Sequence, residues 1–373
     1  MTTLPIRVGL TNVTGLGAVQ LAGSLLPALE ALTTVRLEMA YLPDRGELAH
    51  WQPSQRETAA HIYRRQLPRA LSRVIECATV RAFYAGTSPL LTLGDIPVRT
   101  RARQVVLVQS PHLTGDGSRA PRYVVARALF RANLRYAESI VVQTDAMRQA
   151  MLATYPITPD RLHVIAQPPP DWLLAAALQR RRRLNAGCPL SLFYPAAGYP
   201  HKNHSLLARV DPQGCWREHV ARLVLTIAPA DNPNPALRSI DCIGRQSRAG
   251  IVRAYSETDG LLFLSNSESY GFPLVEAMTV GLPIICPDLP YAQLLCGNEA
   301  IYFDVGSEKS LERAVLKLAD RLASGWWPNW TQRLINIPTS WTKTAQHMVD
   351  LLYPQIEVVE RNGIEPLTST MPS

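Results

Sequence analysis

Short, nearly unbroken apolar runs alternate with amphipathic stretches along this chain. Runs at 6–10 (IRVGL), 90–94 (LLTLG), 104–109 (QVVLVQ), 139–143 (SIVVQ) and 162–166 (LHVIA) have the length and β-branched content of buried strands. Helical periodicity fills 19–32, 122–137 and a stretch from Asp145 onward. Residues 43–75 are arginine-rich and partly helical. The alternation resumes with strands at 190–194, 223–227, 239–244 and 260–265, and with a helix whose Leu311, Val315, Leu318 and Leu322 share one face. Strands separated by helices predict parallel sheets, so the expected class is α/β with two doubly wound, Rossmann-like domains facing a central cleft. The triple proline at 168–170 stiffens the chain where the first domain should end. The expected division is 1–178, 179–340, a terminal helix over 341–353 and a disordered tail over 354–373.

The richest chemistry lies at 268–276 (ESYGFPLVE), between a strand pattern and a helix pattern. Pro273 suits the first helical position and Gly281 the residue past the helix end. Glu268 then sits in the loop above a strand and Glu276 in the first turns of the helix. Backbone N–H groups from Gly271 to Val275 are expected to point between them, and a helix N-terminus favours phosphate. Carboxylates beside a phosphate suit hydroxyl groups, so the expected ligand is a nucleotide sugar. Earlier, 11–18 is read as a loop whose Gly15 and Gly17 follow the first strand. They do not complete a dinucleotide fingerprint, because Gln20 holds the third glycine position.

The 268–276 segment resembles the Glu-x7-Glu motif of the family 4 (group 1) retaining glycosyltransferases, which have the GT-B fold. EAM at 276–278, GLPII at 281–285, PDLPYA at 287–292 and AIYFD at 300–304 follow in that family's order. The resemblance implies that Glu268 binds the donor sugar's hydroxyls and Glu276 the ribose. It places the donor phosphate and sugar against the backbone of Tyr270, Gly271, Phe272, Pro273, Leu274 and Val275. GYPHKNH at 198–204 resembles the family's phosphate loop, with Lys202 as its lysine; Tyr199 stands where an arginine is common. A cation there would stabilise the leaving nucleoside diphosphate. The resemblance also puts Gly244 and Arg245 near the nucleobase, Gly15 and Gly17 in the cleft, and His112 near the transferred sugar. For His112 a structural role, bonding a backbone carbonyl, competes with this. The 340–352 stretch resembles the family's terminal helix, which packs back onto the first domain.

Composition and charge refine this picture. No apolar run is long enough to cross a bilayer, and no secretory signal is read at the N-terminus. The six cysteines make no CxxC pair, and His201 and His204 lack a third ligand, so no metal site is expected and the thiols read as reduced and cytoplasmic. No Asp-x-Asp is present, which fits metal-independent transfer with no cofactor beyond the GDP- or UDP-linked donor. Residues 1–178 hold 19 Arg, no Lys and 12 Asp or Glu, and so carry nearly all of the net +8. A basic first half suits an acidic partner. Its arginines equally suit solvated helix faces. Nucleic-acid modules are not visible, so no nucleic-acid partner is expected. The expected activity is transfer of a hexose, mannose favoured, to a glycan or lipid-linked surface-polysaccharide acceptor, by a cytoplasmic protein with peripheral contact to the anionic inner face of a membrane. A GT-B sugar-nucleotide epimerase and a non-catalytic sugar-nucleotide-binding scaffold are the alternatives.

Overall fold

In the computed structural model the apolar runs pair into two wholly parallel sheets. The structure describes residues 3–55, 57–79, 84–115, 120–178 and 188–354. The arginine run at 179–183 and the tail from 355 lie outside the described residues. The first sheet contains β1 (Leu4–Gly9), β2 (Val35–Leu42), β3 (Ala59–Ile62), β4 (Leu90–Thr92), β5 (Gln104–Leu107), β6 (Ser139–Val142) and β7 (Leu162–Val164). Their spatial order is β3-β2-β1-β4-β5-β6-β7. The second contains β8 (Leu190–Tyr194), β9 (Val220–Leu225), β10 (Ile240–Cys242), β11 (Gly260–Leu262), β12 (Ile284–Pro287) and β13 (Ile301–Phe303), ordered β10-β9-β8-β11-β12-β13. The doubly wound α/β architecture expected from the alternation is therefore present twice.

Each sheet reverses its strand order once, between β1 and β4 in the first and between β8 and β11 in the second. A doubly wound sheet opens a crevice beyond the carboxyl ends of its strands at such a point. The candidate residues follow these strands: Gly15 after β1, His112 after β5, Lys202 after β8 and Glu268 after β11.

Apolar faces explain the packing. Leu21, Leu25 and Leu29 of the helix Leu16–Glu30 share a core with Trp341, Ala345, Met348, Val349 and Leu352 of the helix Trp341–Leu352. The last helix thus covers the first sheet, although it follows the second in sequence. Trp341 Nε1 donates to the Pro169 carbonyl at 3.1 Å, and Tyr353 OH to that of Pro5 at 2.6 Å. Among the described residues, no helix is long and apolar enough to cross a membrane.

Several boundaries differ from the pattern. The first helix starts at Leu16, so Gly15 is its N-cap residue and Gly17 lies in its first turn rather than in a loop. The edge strand β3 was not foreseen, because all four of its residues are exposed and show no buried alternation. The helix expected over 122–137 ends at Asn133, where the side-chain amide turns inward to the carbonyls of Cys77 and Pro97.

Candidate active site

The motif loop is held from below. Ser265 Oγ donates to the His201 carbonyl at 3.1 Å, and the Asn266 N–H donates to the same oxygen at 2.9 Å. These bonds fasten the loop after β11 to the loop after β8. The chain then reaches Gly271, whose φ of +88° is left-handed and suits glycine. The helix Phe272–Thr279 follows, with Pro273 at its second rather than its first position, and Gly281 at φ +76° terminates it. Pro273 has no N–H, and Leu274 and Val275 donate theirs to the Gly271 carbonyl at 2.9 and 3.4 Å. Among the described residues, the expectation of free N–H groups across 271–275 therefore contracts to Gly271 and Phe272. Leu274 and Val275 are fully buried in the core of the second sheet.

Lys202 ends a short 3₁₀ turn, Pro200–Lys202, and Asn203 reverses the chain with φ +56°. Tyr194 OH donates to the Lys202 carbonyl at 2.8 Å, and Asn203 Nδ2 to that of Val305 at 3.2 Å. So anchored, Lys202 Nζ donates to Glu268 Oε1 in an ion pair. The two side chains are only 17% and 14% exposed. They lie 66 residues apart in sequence, and the second switch point brings them together.

Glu276 is 4% exposed and accepts two hydrogen bonds. Gln20 Nε2 reaches one carboxylate oxygen and Tyr255 OH the other, both at 2.8 Å. Burial raises its pKa, and the two donors oppose that rise. Gln20 belongs to the first half of the chain, so Glu276 is already engaged across the cleft. Gly17 lies beside this contact: a Cβ there would sit 3.7 Å from the Phe272 ring. Gly15 has open space around it. The sequence offered Gln20 only as the residue that spoiled a glycine fingerprint. Tyr255, on the helix Arg248–Glu257, was not singled out in the sequence.

A row of rings crosses between the two sheets' loops. Tyr199 stacks on His201 at 5.7 Å, His201 meets His112 edge-on at 6.3 Å, and His112 lies 4.1 Å from Tyr123. Burial first, then Arg122 and Arg127, lowers the His112 pKa. Burial and Lys202 lower that of His201 against the pull of Glu268. Both imidazoles are thus biased toward the neutral form. Gly244, at φ +70°, has open space around it, and Arg245 pairs across the cleft with Glu47, with both side chains exposed.

The halves are also joined by polar contacts beside the motif. Ser269 Oγ donates to Gln143 Oε1 at 3.0 Å, and Thr144 Oγ1 to the Ser269 carbonyl at 3.1 Å. Tyr270 OH donates to the Gln167 carbonyl and is itself only 1% exposed. Tyr270 therefore has its side chain in a structural contact, and only its backbone is left to face a ligand.

Residues 236–321 match the model of the family described as glycosyl transferases group 1, a span of about a quarter of the chain that includes both motif glutamates. The chain is similar to the serotype-specific mannosyltransferase WbdA of Escherichia coli, 32% identical over 65 residues. That match covers 17% of this chain and 8% of WbdA. Among solved structures, sucrose-phosphate synthase of Thermosynechococcus elongatus superposes with a TM-score of 0.60 at 13% identity, over 96% of this chain and 98% of that one. HepE of Anabaena, in complex with UDP-glucose, gives 0.58 at 14%, over 96% and 100%. TarM gives 0.53 at 12%, and the match spans 71% of this chain and about half, 55%, of TarM. The fold is GT-B.

Proposed function

We propose that this protein is a retaining glycosyltransferase that moves a hexose from a nucleotide sugar to a glycan or lipid-linked acceptor at the cytoplasmic face of a membrane. The carrying observation is the cluster at the second switch point: the Lys202–Glu268 ion pair, with Glu276 near the start of the helix that follows. The group 1 match over 236–321 supports it. The donor's diphosphate would take Lys202 from Glu268 and accept from the Gly271 and Phe272 N–H groups. The released Glu268 carboxylate would accept from the sugar hydroxyls. Glu276 would exchange Gln20 for the ribose hydroxyls, and the base would lie toward Gly244 and Arg245. His112, neutral and facing His201, would lie beside the transferred sugar.

The reaction then forms a bond from the acceptor oxygen to the anomeric carbon as the bond to the donor phosphate breaks. Attack on the face from which the diphosphate departs lets a phosphate oxygen take the acceptor proton, so no protein base is required. Lys202 stabilises the charge on the leaving diphosphate where a transferase of another fold would use a divalent cation. Mannose is favoured by the short similarity to a mannosyltransferase, and a glucosyl donor by the UDP-glucose bound to HepE.

Donor consumption tests this. Purified protein is incubated with GDP-mannose or UDP-glucose, with and without a glycolipid acceptor pool, and products are resolved by mass spectrometry. One donor should be consumed, and Lys202→Ala and Glu268→Ala should each lower turnover by about 100-fold or more while staying folded. Near-wild-type turnover in either variant contradicts the assignment. An isomerised donor formed without acceptor would make the protein an epimerase.

A further inference from the structure

A cavity of about 310 Å³ opens between the loops that follow β8 and β9, with Gly198, Tyr199, Pro200, Ser205, Ile227 and Asp231 among its lining residues. That is the small end of the range for ligand pockets. Both loops are pinned. Thr226 Oγ1 donates to the Ala196 carbonyl at 3.2 Å, which ties one loop to the other. The 3₁₀ turn Pro229–Asp231 follows, with the Asp231 N–H on the Ala228 carbonyl at 2.9 Å. Three residues on, the buried Asn234 amide donates to the carbonyls of Leu207 and Val210 at 3.0 and 3.1 Å. Asp231 is thus held between two fixed points.

The lining has a distinct chemistry. Ile227, 5% exposed, supplies an apolar wall. Tyr199 remains 45% exposed even though its ring stacks on His201. Asp231 is exposed, and among the described residues its carboxylate accepts no hydrogen bond and joins no ion pair. No lysine or arginine lines the cavity. A phosphate is therefore disfavoured there, and a flat, neutral ligand rich in hydrogen-bond donors fits. The cavity adjoins the donor cluster. Pro200 begins the turn that Lys202 ends, and the Ile227 carbonyl accepts from the Gly244 N–H at 2.9 Å.

We propose that this cavity takes the donor's base and that Asp231 selects guanine, so that the donor is a guanosine diphosphate sugar. The inference rests on the donor-site reading above and names the substrate class for it. Guanine presents two adjacent donors, N1–H and the N2 amine, which one carboxylate can accept with its two oxygens. Uracil presents a single N–H between two carbonyl oxygens, and both would face the negative charge of Asp231. Adenine and cytosine each set an acceptor nitrogen beside their amine. Tyr199 supplies an aromatic face on which the purine can stack.

The test is calorimetric titration of GDP, UDP and xanthosine diphosphate into the wild type and Asp231→Asn. Xanthine carries a carbonyl oxygen where guanine carries its N2 amine. An asparagine amide would accept from N1–H and donate to that oxygen. The wild type should bind GDP about tenfold or more tightly than either other nucleotide. Asp231→Asn should lose about tenfold or more for GDP and gain affinity for xanthosine diphosphate, a swap that a merely structural aspartate would not produce. Thermal melting checks that the variant is folded, and the wild-type preference can refute the proposal by itself. A wild type that prefers UDP overturns the base assignment and leaves the donor site standing. So does a folded Asp231→Asn variant that binds GDP unchanged or gains nothing for xanthosine diphosphate. A wild type that binds no nucleotide overturns the donor-site reading, and this inference with it.

Discussion

Protonating His204 is harder in the folded protein than in the unfolded chain. Its ring lies tilted against Tyr194 at 5.1 Å, and among the described residues its buried Nε2 has no hydrogen-bond partner. Burial first, and Lys202 second, hold its pKa down to about 4. An unfolded imidazole titrates near 6.5, so the neutral ring's contribution is fully present above about pH 6.5 and is lost as pH falls toward 4. The loss approaches about 3 kcal/mol and stops growing below the folded pKa. His204→Phe keeps the ring contact and should flatten this part of the stability curve, read as melting temperature against pH for both proteins. Equal slopes between pH 6.5 and 4 would show that His204 does not titrate in this way. The sequence put His201 and His204 side by side as alike. The fold separates them, one into the row of rings at the cleft and the other onto Tyr194. Spacing gives the residue types near a site, but not which of two neighbours turns inward.

At the level of elements, Thr144 performs two tasks. Its Oγ1 accepts from the Met147 N–H at 3.2 Å, capping the helix Asp145–Thr154, and donates to the Ser269 carbonyl across the cleft at 3.1 Å. Thr144→Ala should lower stability by about 1–2 kcal/mol in urea unfolding, while Thr144→Ser should recover most of it. An alanine variant with an unchanged midpoint would mean that both bonds are replaced by solvent. The start of the helix was legible from the pattern that begins at Asp145; the bond to Ser269 was not, because its partner lies 125 residues away. The same division holds elsewhere. Strands β1, β4, β5, β6 and β8 were readable because both faces are buried and the runs are almost purely apolar. The exposed edge strand β3 and the break at Asn133 were not, since each is set by neighbours distant in sequence.

At the scale of the whole molecule, the two sheets present their switch points to one cleft, and the last helix crosses back to cover the first sheet. The contacts that close the cleft fall on the 268–276 motif: Gln20 on Glu276, Gln143 and Thr144 on Ser269, and Gln167 on Tyr270. Under the proposed reading, donor binding and the relative placement of the two halves should therefore be coupled, because the ribose would compete with Gln20 for one carboxylate. The 268–276 motif was legible in the sequence, whereas this competition arises only when the halves are brought together. The most direct measurement is calorimetric titration of GDP, UDP, GDP-mannose and UDP-glucose into the wild type and Glu276→Ala. One nucleotide class should bind the wild type, with affinity at least about tenfold weaker in the variant. If no nucleotide binds, or if the variant binds as the wild type does, the cleft is not the donor site described above.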